Sequence, residues 1–352
     1  MLKSTPQRGL YIHIPFCTSK CGYCAFNSFS GLDSLKDAYV QALILDLKES
    51  LRDTPVLSSI FVGGGTPNTL ESKHYGQIFS TIYANTICAP NTEITLEGNP
   101  DIITKEWCQT LKALGANRLS LGVQSFFADK LKFLQREHGQ QDIFKALESA
   151  HNSGFEHLSI DLIYNTPLDT PTRLKAECLL ANTLPIDHLS AYSLTLEDNT
   201  RLTRSTAPSA LLNADAMLQN LLKDLGFVPY EVSNYARPYQ VQHNLGYWAG
   251  CEYLGCGAGA VGRVGQERFY KQKDVLSYIN DPLKQRVEHL SDQDLELERL
   301  FLGLRCVLGV ELKGLEPKKV QTLVEEKKCE VRNQRLVARD FFLADEIALW
   351  LT

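Results

Sequence analysis

The sequence predicts an α/β fold: a partial (β/α)6 barrel of the TIM type, followed by a small C-terminal α+β domain that is winged-helix-like. Short β-rich runs alternate with helical patterns up to about residue 200 of 352, which is typical of βαβ units in a parallel sheet. Six units are too few for a complete eight-stranded barrel. We therefore expect a barrel that is open on one side, with a smaller appendage after it.

The six predicted strands cover 9–16, 58–65, 93–100, 118–125, 157–164 and 188–197. The helical patterns between them cover about 33–51, 72–87, 104–114, 141–153 and 170–182. Later in the chain the sequence predicts helices at about 213–225, 292–307, 316–327 and 341–351, and a hairpin in "EVRNQRLVA". We place a core domain at 1–240 and a second segment, which includes the small C-terminal domain, at 241–352.

Composition limits the classes of function. Hydrophobic residues make up 44% and charged residues 22% of the chain, as in ordinary globular proteins. A formal net charge of −5 offers no sign of the basic face that nucleic acid requires, so we expect no nucleic-acid partner. We identify neither a membrane-spanning run nor a signal peptide. The ten cysteines are therefore expected to be reduced thiols of a cytoplasmic protein.

Polar residues and glycines follow nearly every predicted strand at its carboxyl end. They are the cysteine-containing loop, Gly63 to Pro67, Glu97, Asn99, Gln124, Ser125, Asp161, Ser193 and Thr195. A helix cap or a turn explains any one of them alone. Because parallel α/β proteins bind ligands just beyond the carboxyl ends of their strands, the set as a whole predicts a ligand site at this edge.

The loop after the first strand contains three cysteines, Cys17, Cys21 and Cys24, in "CTSKCGYC". A structural zinc site normally takes four ligands, and a disulfide takes two thiols. An iron–sulfur cluster held by three thiolates keeps one iron open for a further ligand, as catalytic metal sites do. The alternatives are a zinc site of three cysteines with a distant histidine, or cysteines packed in the core.

The spacing Cys-x-x-x-Cys-x-x-Cys resembles the signature of the radical S-adenosylmethionine (SAM) superfamily. The resemblance implies a radical SAM barrel in which the three thiolates hold a 4Fe–4S cluster and SAM chelates the fourth iron. "GGGTP" at 63–67 resembles the segment whose backbone contacts the methionine amino group. Consecutive glycines suit that role because they let the main chain approach a ligand closely.

Further motifs resemble the oxygen-independent coproporphyrinogen III oxidase family over residues 10 to 265, among them "LEGNP", "NRLSLGVQSF", "HLSAYSLTLE" and "HNLGYW". The oxidase branch has a fourth cysteine two residues after the third, and an N-terminal extension. Here that position is Phe26, and only 16 residues precede Cys17. Both features resemble the other branch, the heme chaperones of the HemW type.

The family resemblance implies a set of SAM contacts. They are Tyr11, Tyr23, Gly64, Gly65, Thr66, Glu97, Gln124, Arg136, Asp161, Thr195 and Val261. The tyrosines are expected beside the cluster and the adenosine, and the glycines at the methionine end. Arginine pairs with carboxylates, while acidic side chains accept from ammonium and hydroxyl groups, so Arg136, Glu97 and Asp161 suit the polar groups of SAM. A surface ion pair for the arginine and helix caps for the acids are the alternatives.

The motif "HNLGYW" is implied to be associated with heme in the chaperone branch. His243 is a candidate axial ligand because imidazole suits iron, and Tyr247 and Trp248 are available to stack on a flat macrocycle. A hydrogen-bonded histidine beside two core aromatics agrees equally well with the sequence.

Three positions depart from the usual family pattern. "NTPLDT" at 165–170 replaces Gly-Leu-Pro-x-Gln-Thr, so the wall near Asp161 is expected to differ. Val261 stands where many relatives carry a histidine, which puts a second heme-contacting imidazole in doubt. Cys256 is expected to pack in the core rather than bind heme.

The resemblance therefore implies a heme chaperone that carries a 4Fe–4S cluster and SAM and passes heme to acceptors such as respiratory enzymes. We expect a monomer or dimer that meets a membrane only through its acceptor. The rival is oxidative decarboxylation of coproporphyrinogen III by a 5′-deoxyadenosyl radical, against which Phe26 and the short N-terminus argue. A radical reaction on another substrate is a third alternative.

Overall fold

A sheet of twelve strands organises the part of the chain described by a computed structural model, residues 7–54, 56–197, 200–205 and 214–352. In chain order, the strands of this sheet and of two smaller ones are β1 Gln7–Ile14, β2 Phe16–Cys17, β3 Phe29–Ser30, β4 Val56–Gly64, β5 Ile87–Gly98, β6 Arg118–Gln124, β7 His157–Tyr164, β8 His188–Ser193, β9 Val228–Pro229, β10 Asn234–Ala236, β11 Tyr253–Cys256, β12 Val261–Val264, β13 Glu267–Lys271, β14 Gln285–His289, β15 Val310–Glu311, β16 Cys329–Arg332 and β17 Arg335–Ala338.

Helices alternate with these strands through the first two thirds of the chain. Over all the described residues, the helices are α1 Lys36–Leu51, α2 Ser72–Asn85, α3 Lys105–Ala113, α4 Ala128–Phe133, α5 Gln140–Asn152, α6 Pro171–Asn182, α7 Arg201–Ser205, α8 Asp215–Asp224, α9 Gln242–Trp248, α10 Val275–Asn280, α11 Asp292–Gly303, α12 Pro317–Glu325 and α13 Ala344–Leu351. None of the helices in the described ranges is long and apolar enough to cross a membrane.

The centre of the large sheet is the run β1-β4-β5-β6-β7-β8, in which every neighbouring pair is parallel. This confirms the predicted partial α/β barrel, and each predicted strand overlaps one of these six. The predicted helix at about 213–225 corresponds to α8, although its first residue, 213, lies outside the described residues.

Side chains of the central strands alternate between an apolar outer face and a polar inner one, as the two-residue period of a strand requires. Leu10, Ile12 and Ile14 of β1 are completely buried under the helices. The inner face carries buried polar side chains instead, such as His13 and Arg118. The barrel therefore encloses polar chemistry within an apolar shell.

The sheet continues beyond the predicted boundary at residue 240. β11 pairs with β1 in parallel, and β12, β13 and β14 extend the sheet from it in antiparallel fashion. The sequence did not predict these strands because glycines interrupt their β-branched pattern. Gly255 is required there, since a Cβ at this position would collide with the carbonyl of Val261. The division into domains at 240 stays a prediction.

The last sixty or so residues form an α+β unit with its own apolar core. The strand order is β15-β17-β16, α11 and α12 contact these strands, and α13 packs against α11 and α12. The core includes Leu300, Leu323, Leu336 and Ile347, all buried. The appended α+β domain is therefore present, while its likeness to a winged helix stays a prediction.

One buried carboxylate ties the glycine-rich segment after α9 to the barrel. Asp46 of α1 is completely buried and forms an ion pair of 2.7 Å with Lys271. It also accepts hydrogen bonds from Tyr278 Oη at 2.8 Å and from the backbone N–H of Gly257 at 3.1 Å. Because these partners come from β13, α10 and the turn after β11, the carboxylate fixes the whole segment against α1.

We expect Asp46→Ala to lower the free energy of unfolding by about 3–5 kcal/mol, because it leaves the Lys271 ammonium buried without its counter-ion. Urea unfolding followed by circular dichroism measures this. The matched control is Asp33→Ala, which breaks an ion pair of 2.6 Å with Lys36 in which the aspartate is 73% exposed. That change should cost less than about 1 kcal/mol. Equal effects of the two substitutions would contradict the anchoring role.

Candidate functional site

The three cysteines lie on the loop that follows β1. Cys17 ends β2, and all three thiols are free and partly exposed. Each has a polar neighbour. The Thr66 hydroxyl donates to Cys17 Sγ at 3.4 Å, Arg136 Nη1 donates to Cys21 Sγ at 3.4 Å, and Cys24 Sγ lies 3.9 Å from a serine hydroxyl. Burial raises the pKa of the Cys17 thiol, and the hydrogen bond from Thr66 opposes this rise.

Among the described residues, no group of three or more His, Cys, Asp or Glu side chains is arranged to hold a single metal ion. In an iron–sulfur cluster each thiolate binds a different iron, so its ligands stand farther apart than those of one ion. The cysteine loop is compatible with an iron–sulfur cluster, since its three thiols line the same cavity.

That cavity, which we call the cysteine cavity, has a volume of about 360 Å³. The residues predicted from the sequence that line it are Cys17, Cys21, Tyr23, Cys24, Gly64, Gly65, Thr66, Glu97, Gln124, Arg136, Asp161 and Thr195. They come from the ends of β2, β4, β5, β6, β7 and β8 and the loops beyond. The structure thus brings together side chains that are up to 178 positions apart in the sequence, between Cys17 and Thr195.

Tyr11, Val261 and His243 line a second, larger space beside the first, which we call the groove. Its volume is about 980 Å³. Gly64, Glu97 and Phe26 line both spaces, so the two adjoin. Two of the predicted SAM contacts, Tyr11 and Val261, therefore lie on the groove side, next to the glutamate that the two spaces share.

The glycines at the end of β4 allow the backbone to pass close to other groups. A Cβ on Gly64 would lie 2.6 Å from the His13 ring, and one on Gly63 would lie 2.8 Å from Glu97 Oε2. Gly64 also has a φ of +115°, which favours glycine. With no side chain in the way, the N–H of Gly64 donates to Glu97 Oε2 at 3.2 Å.

Two carboxyl groups, Glu97 and Asp161, lie on the inner wall of the cysteine cavity. Burial raises the pKa of Glu97 to about 7, and the negative charge of Asp161 adds to the shift. Burial also raises the pKa of Asp161, against hydrogen bonds from Ser190 and Ser120 that lower it. Glu97 can therefore change its charge near neutral pH.

Asn99 belongs to this site although the sequence assigned it no role beyond its position after a strand. Its Oδ1 accepts from Arg136 Nη2 at 2.7 Å, and its Nδ2 donates to the Thr66 hydroxyl at 3.4 Å. Arg136 Nη2 also donates to the carbonyl of Gly122 at 2.7 Å. Asn99 therefore holds the arginine against the cysteine loop. Its place in "LEGNP" was the only signal in the sequence.

Gln124 ends β6 with a φ of 63°, in the left-handed region that a non-glycine residue rarely adopts. Such a backbone conformation costs on the order of 1–3 kcal/mol and often occurs at functional sites. Here it directs the chain around the wall of the cysteine cavity, which Gln124 lines.

His243 lies at the inner end of the groove, buried with 3% of its surface exposed. Both ring nitrogens are engaged, because Nδ1 lies 2.8 Å from the Ser59 hydroxyl and Nε2 lies 3.0 Å from Tyr247 Oη. The ring stacks on Phe61 with a centroid distance of 5.1 Å. Burial, together with the nearby Arg118 charge, lowers the pKa of His243 to about 3, so the imidazole is neutral at pH 7.

A buried carboxylate of the barrel fixes the start of α9, which carries His243. Glu93 of β5 accepts hydrogen bonds from Tyr239 Oη at 2.6 Å, from the N–H of Gln242 at 2.8 Å and from the N–H of His243 at 3.2 Å. The sequence did not single out Glu93, because it begins the predicted strand 93–100 and so lay away from the carboxyl end, whereas in the structure it lies in the middle of β5.

The departures from the family pattern have structural explanations. Asp169 of "NTPLDT" forms a fully buried ion pair of 2.7 Å with Lys130, which also pairs with Glu177 at 2.8 Å. The segment 165–170 is therefore held in place by charge, while a difference in the wall near Asp161 stays a prediction. Cys256 is completely buried in β11, and it packs in the core as expected.

Comparison with known proteins first defines the class. Residues 11–175 match the radical SAM superfamily. Over 332 residues the chain is 34% identical to the heme chaperone HemW of Bacillus subtilis, which covers 89% of this chain and 87% of the relative. It is 37% identical to the heme chaperone HemW of Escherichia coli over 269 residues, covering 74% and 71% of the two chains. The chain belongs to the HemW family.

A solved structure supports the fold. The coproporphyrinogen III oxidase HemN of Escherichia coli, a radical SAM enzyme, superposes with a TM-score of 0.84 over 99% of this chain and 90% of that one. At 22% sequence identity this likeness shows a shared fold alone.

The Glu97 carboxyl makes stability depend on pH. Its pKa is about 7 in the folded chain against 4.5 as the ordinary value, so the folded state binds more protons between these two pH values. The free energy of unfolding therefore falls by on the order of 1–3 kcal/mol as pH rises from about 4.5 through about 7, because the stability contributed by the protonated Glu97 is lost.

We expect Glu97→Gln to remove this part of the decline, measured as urea unfolding midpoints from pH 5 to 8. Glu137→Gln, which changes an exposed glutamate, is the matched control and should keep the decline. A Glu97→Gln profile parallel to that of the unmodified chain would refute the assignment.

Proposed function

We propose that this protein binds heme in the groove and passes it to acceptor hemoproteins, while a 4Fe–4S cluster and SAM occupy the cysteine cavity. The observation that carries the proposal is the groove itself. It is a large space of about 980 Å³ with aromatic walls and a neutral imidazole, adjoining a cavity with three thiols. The curated relatives at 34% and 37% identity are named heme chaperones.

The donor set of the cysteine cavity fits the proposed cofactors. Cys17, Cys21 and Cys24 offer three thiolates, the number that leaves one iron of a 4Fe–4S cluster for the amino and carboxylate groups of SAM. The Arg136 guanidinium suits the carboxylate of SAM, and Glu97 suits its amino group. When bound, the cluster would supply one-electron chemistry.

The groove suits the shape of heme because aromatic side chains line it on several sides. Tyr11, Phe61, Tyr253 and Tyr270 are among them. Flat rings stack on such side chains in offset or edge-to-face arrangements. The Lys273 ammonium lines the same groove, and no carboxylate of the described residues pairs with it. A cation in this place suits the carboxylates of the heme propionates.

His243 stays the candidate axial ligand, with one added condition. Neutral imidazole is the form that binds iron, and burial keeps His243 neutral. Its Nε2 lies 3.0 Å from Tyr247 Oη, so ligation through this nitrogen requires the tyrosine hydroxyl to move away. The bond of Nδ1 to the Ser59 hydroxyl at 2.8 Å would then orient the ring, as outer-shell partners of metal ligands do.

The proposed setting is the cytoplasm, with respiratory enzymes as the acceptors and any contact with a membrane made through them. Monomer and dimer both agree with this role. Coproporphyrinogen III oxidation is the competing function, and it shares the barrel fold. Phe26 stands against it because the oxidase pattern has a thiol at this position.

The test is a heme titration of the anaerobically reconstituted protein, followed in the Soret region. We expect saturable binding at one site. His243→Ala should weaken it at least about tenfold and change the spectrum, because iron loses a ligand. SAM binding, measured by calorimetry, should be unchanged by this substitution. Anaerobic conversion of coproporphyrinogen III to protoporphyrinogen by the unmodified protein would overturn the proposal.

Tyr247→Phe provides the matched variant. It removes the hydroxyl that occupies Nε2 while keeping the aromatic ring, so heme should bind as tightly as before or more tightly. If His243→Ala and Tyr247→Phe both leave the spectrum of bound heme unaltered, His243 is not the ligand.

A further inference from the structure

We infer that Phe26 is a heme-contacting residue whose ring covers one face of the porphyrin at the mouth of the groove, so that the cysteine loop itself forms a wall of the heme site. This inference rests on the proposed function. It adds a contact from the cysteine loop to those proposed from α9.

The first observation is the exposure of the Phe26 side chain. It is 70% exposed, the largest fraction among the exposed large hydrophobic residues of the described ranges. Full burial of a phenylalanine side chain stabilises a fold by about 1.5–3 kcal/mol, and Phe26 contributes little of this because it is mostly exposed. The ring therefore contributes little to the folding of the loop and remains available to a ligand.

The second observation is its place. Phe26 lines both the groove and the cysteine cavity. Its neighbours Ala25 and Asn27 also line the groove, as do His243 and Tyr247 of α9. A flat molecule held in the groove would thus meet both α9 and the end of the cysteine loop.

The third observation is that the backbone beneath this exposed ring is fixed. The carbonyl of Phe26 accepts from the N–H of Ser28 at 2.8 Å and from Lys20 Nζ at 3.3 Å. The carbonyl of Asn27 lies 2.8 Å from His13 Nε2. An exposed aromatic ring on a rigid backbone is preorganised, because binding does not have to order the segment that carries it.

The side chain of Asn27 joins this segment to the far wall of the groove. Its Nδ2 donates to the carbonyl of Ala258 at 3.0 Å and to the carbonyl of Lys273 at 2.9 Å. Gly259 permits the approach, since a Cβ there would lie 2.5 Å from Asn27 Nδ2. The Lys273 ammonium and the Phe26 ring are therefore held on segments that meet in one groove.

Together these groups match the chemistry of heme. The macrocycle offers a flat apolar face for the Phe26 ring, and its propionates offer carboxylates for Lys273. A fourth cysteine at position 26 would instead present a small polarisable thiol next to the cluster. Phe26 thus places an unreactive aromatic ring where the oxidase pattern has a reactive thiol.

The experiment titrates heme into the reconstituted protein carrying Phe26→Leu, with Phe26→Tyr as the aromatic control. Aromatic contacts of this kind contribute roughly a two- to tenfold change in affinity, so we expect Phe26→Leu to weaken heme binding by that factor and Phe26→Tyr to restore it. Phe342→Leu changes a phenylalanine that is 39% exposed in the C-terminal unit and should have no effect. Iron and sulfide content and SAM affinity should be the same in all variants.

Each outcome has one meaning. If the unmodified protein binds no heme, the proposed function fails and the inference fails with it. If the unmodified protein binds heme and Phe26→Leu binds it equally well, the inference alone is overturned. Loss of cluster iron together with heme in Phe26→Leu would assign the ring to the folding of the loop, and would likewise overturn the inference.

Discussion

One buried cation influences the ionisation of several groups inside the barrel. Arg118 is 2% exposed, and its guanidinium lies near the hydroxyl of Thr95 and the ring of His188 rather than in an ion pair with any described carboxylate. Charge in a medium of low polarity acts over a long range. Burial is the main cause of the low pKa values of His188 and His243, and the Arg118 charge lowers them further. The same charge opposes the rise in the pKa values of Glu97 and Asp161 that burial causes. Arg118 thus influences the protonation of His243 in the groove and of Glu97 and Asp161 in the cysteine cavity, where burial has the largest effect.

Much of the fold and of the cysteine cavity followed from the sequence because local rules decide them. Strand ends in a parallel barrel meet at one edge, so Cys17, Gly64, Glu97 and Asp161 had to converge once six strands were recognised. The spacing of the three cysteines then predicted an iron–sulfur cluster through its resemblance to the radical SAM signature. The predicted fold and family are confirmed, while the role of each residue at the site stays a prediction.

The groove could not have been predicted in the same way, since it depends on packing between distant segments. Glycines interrupt the strand pattern of β11, so the sequence did not predict this strand. The attachment of α9 to the barrel requires a buried carboxylate, Glu93, which lies in the middle of β5 rather than at the carboxyl end where the sequence predicted the ligand site. Tyr11 illustrates the consequence. The sequence placed it with the SAM contacts, whereas the structure puts it on the groove side because Phe61 and His243 continue the same stack of rings.

The bridge made by Asn27 has a consequence for the order in which the protein matures. The cysteine loop lies near the start of the chain, yet the side chain that fixes its end reaches the carbonyls of residues 258 and 273. Strand β1 likewise gains its second neighbour only from β11. A ribosome must therefore synthesise more than two thirds of the chain before the loop can reach its final form. The loop that we propose holds the cluster is therefore complete only after most of the chain has been synthesised.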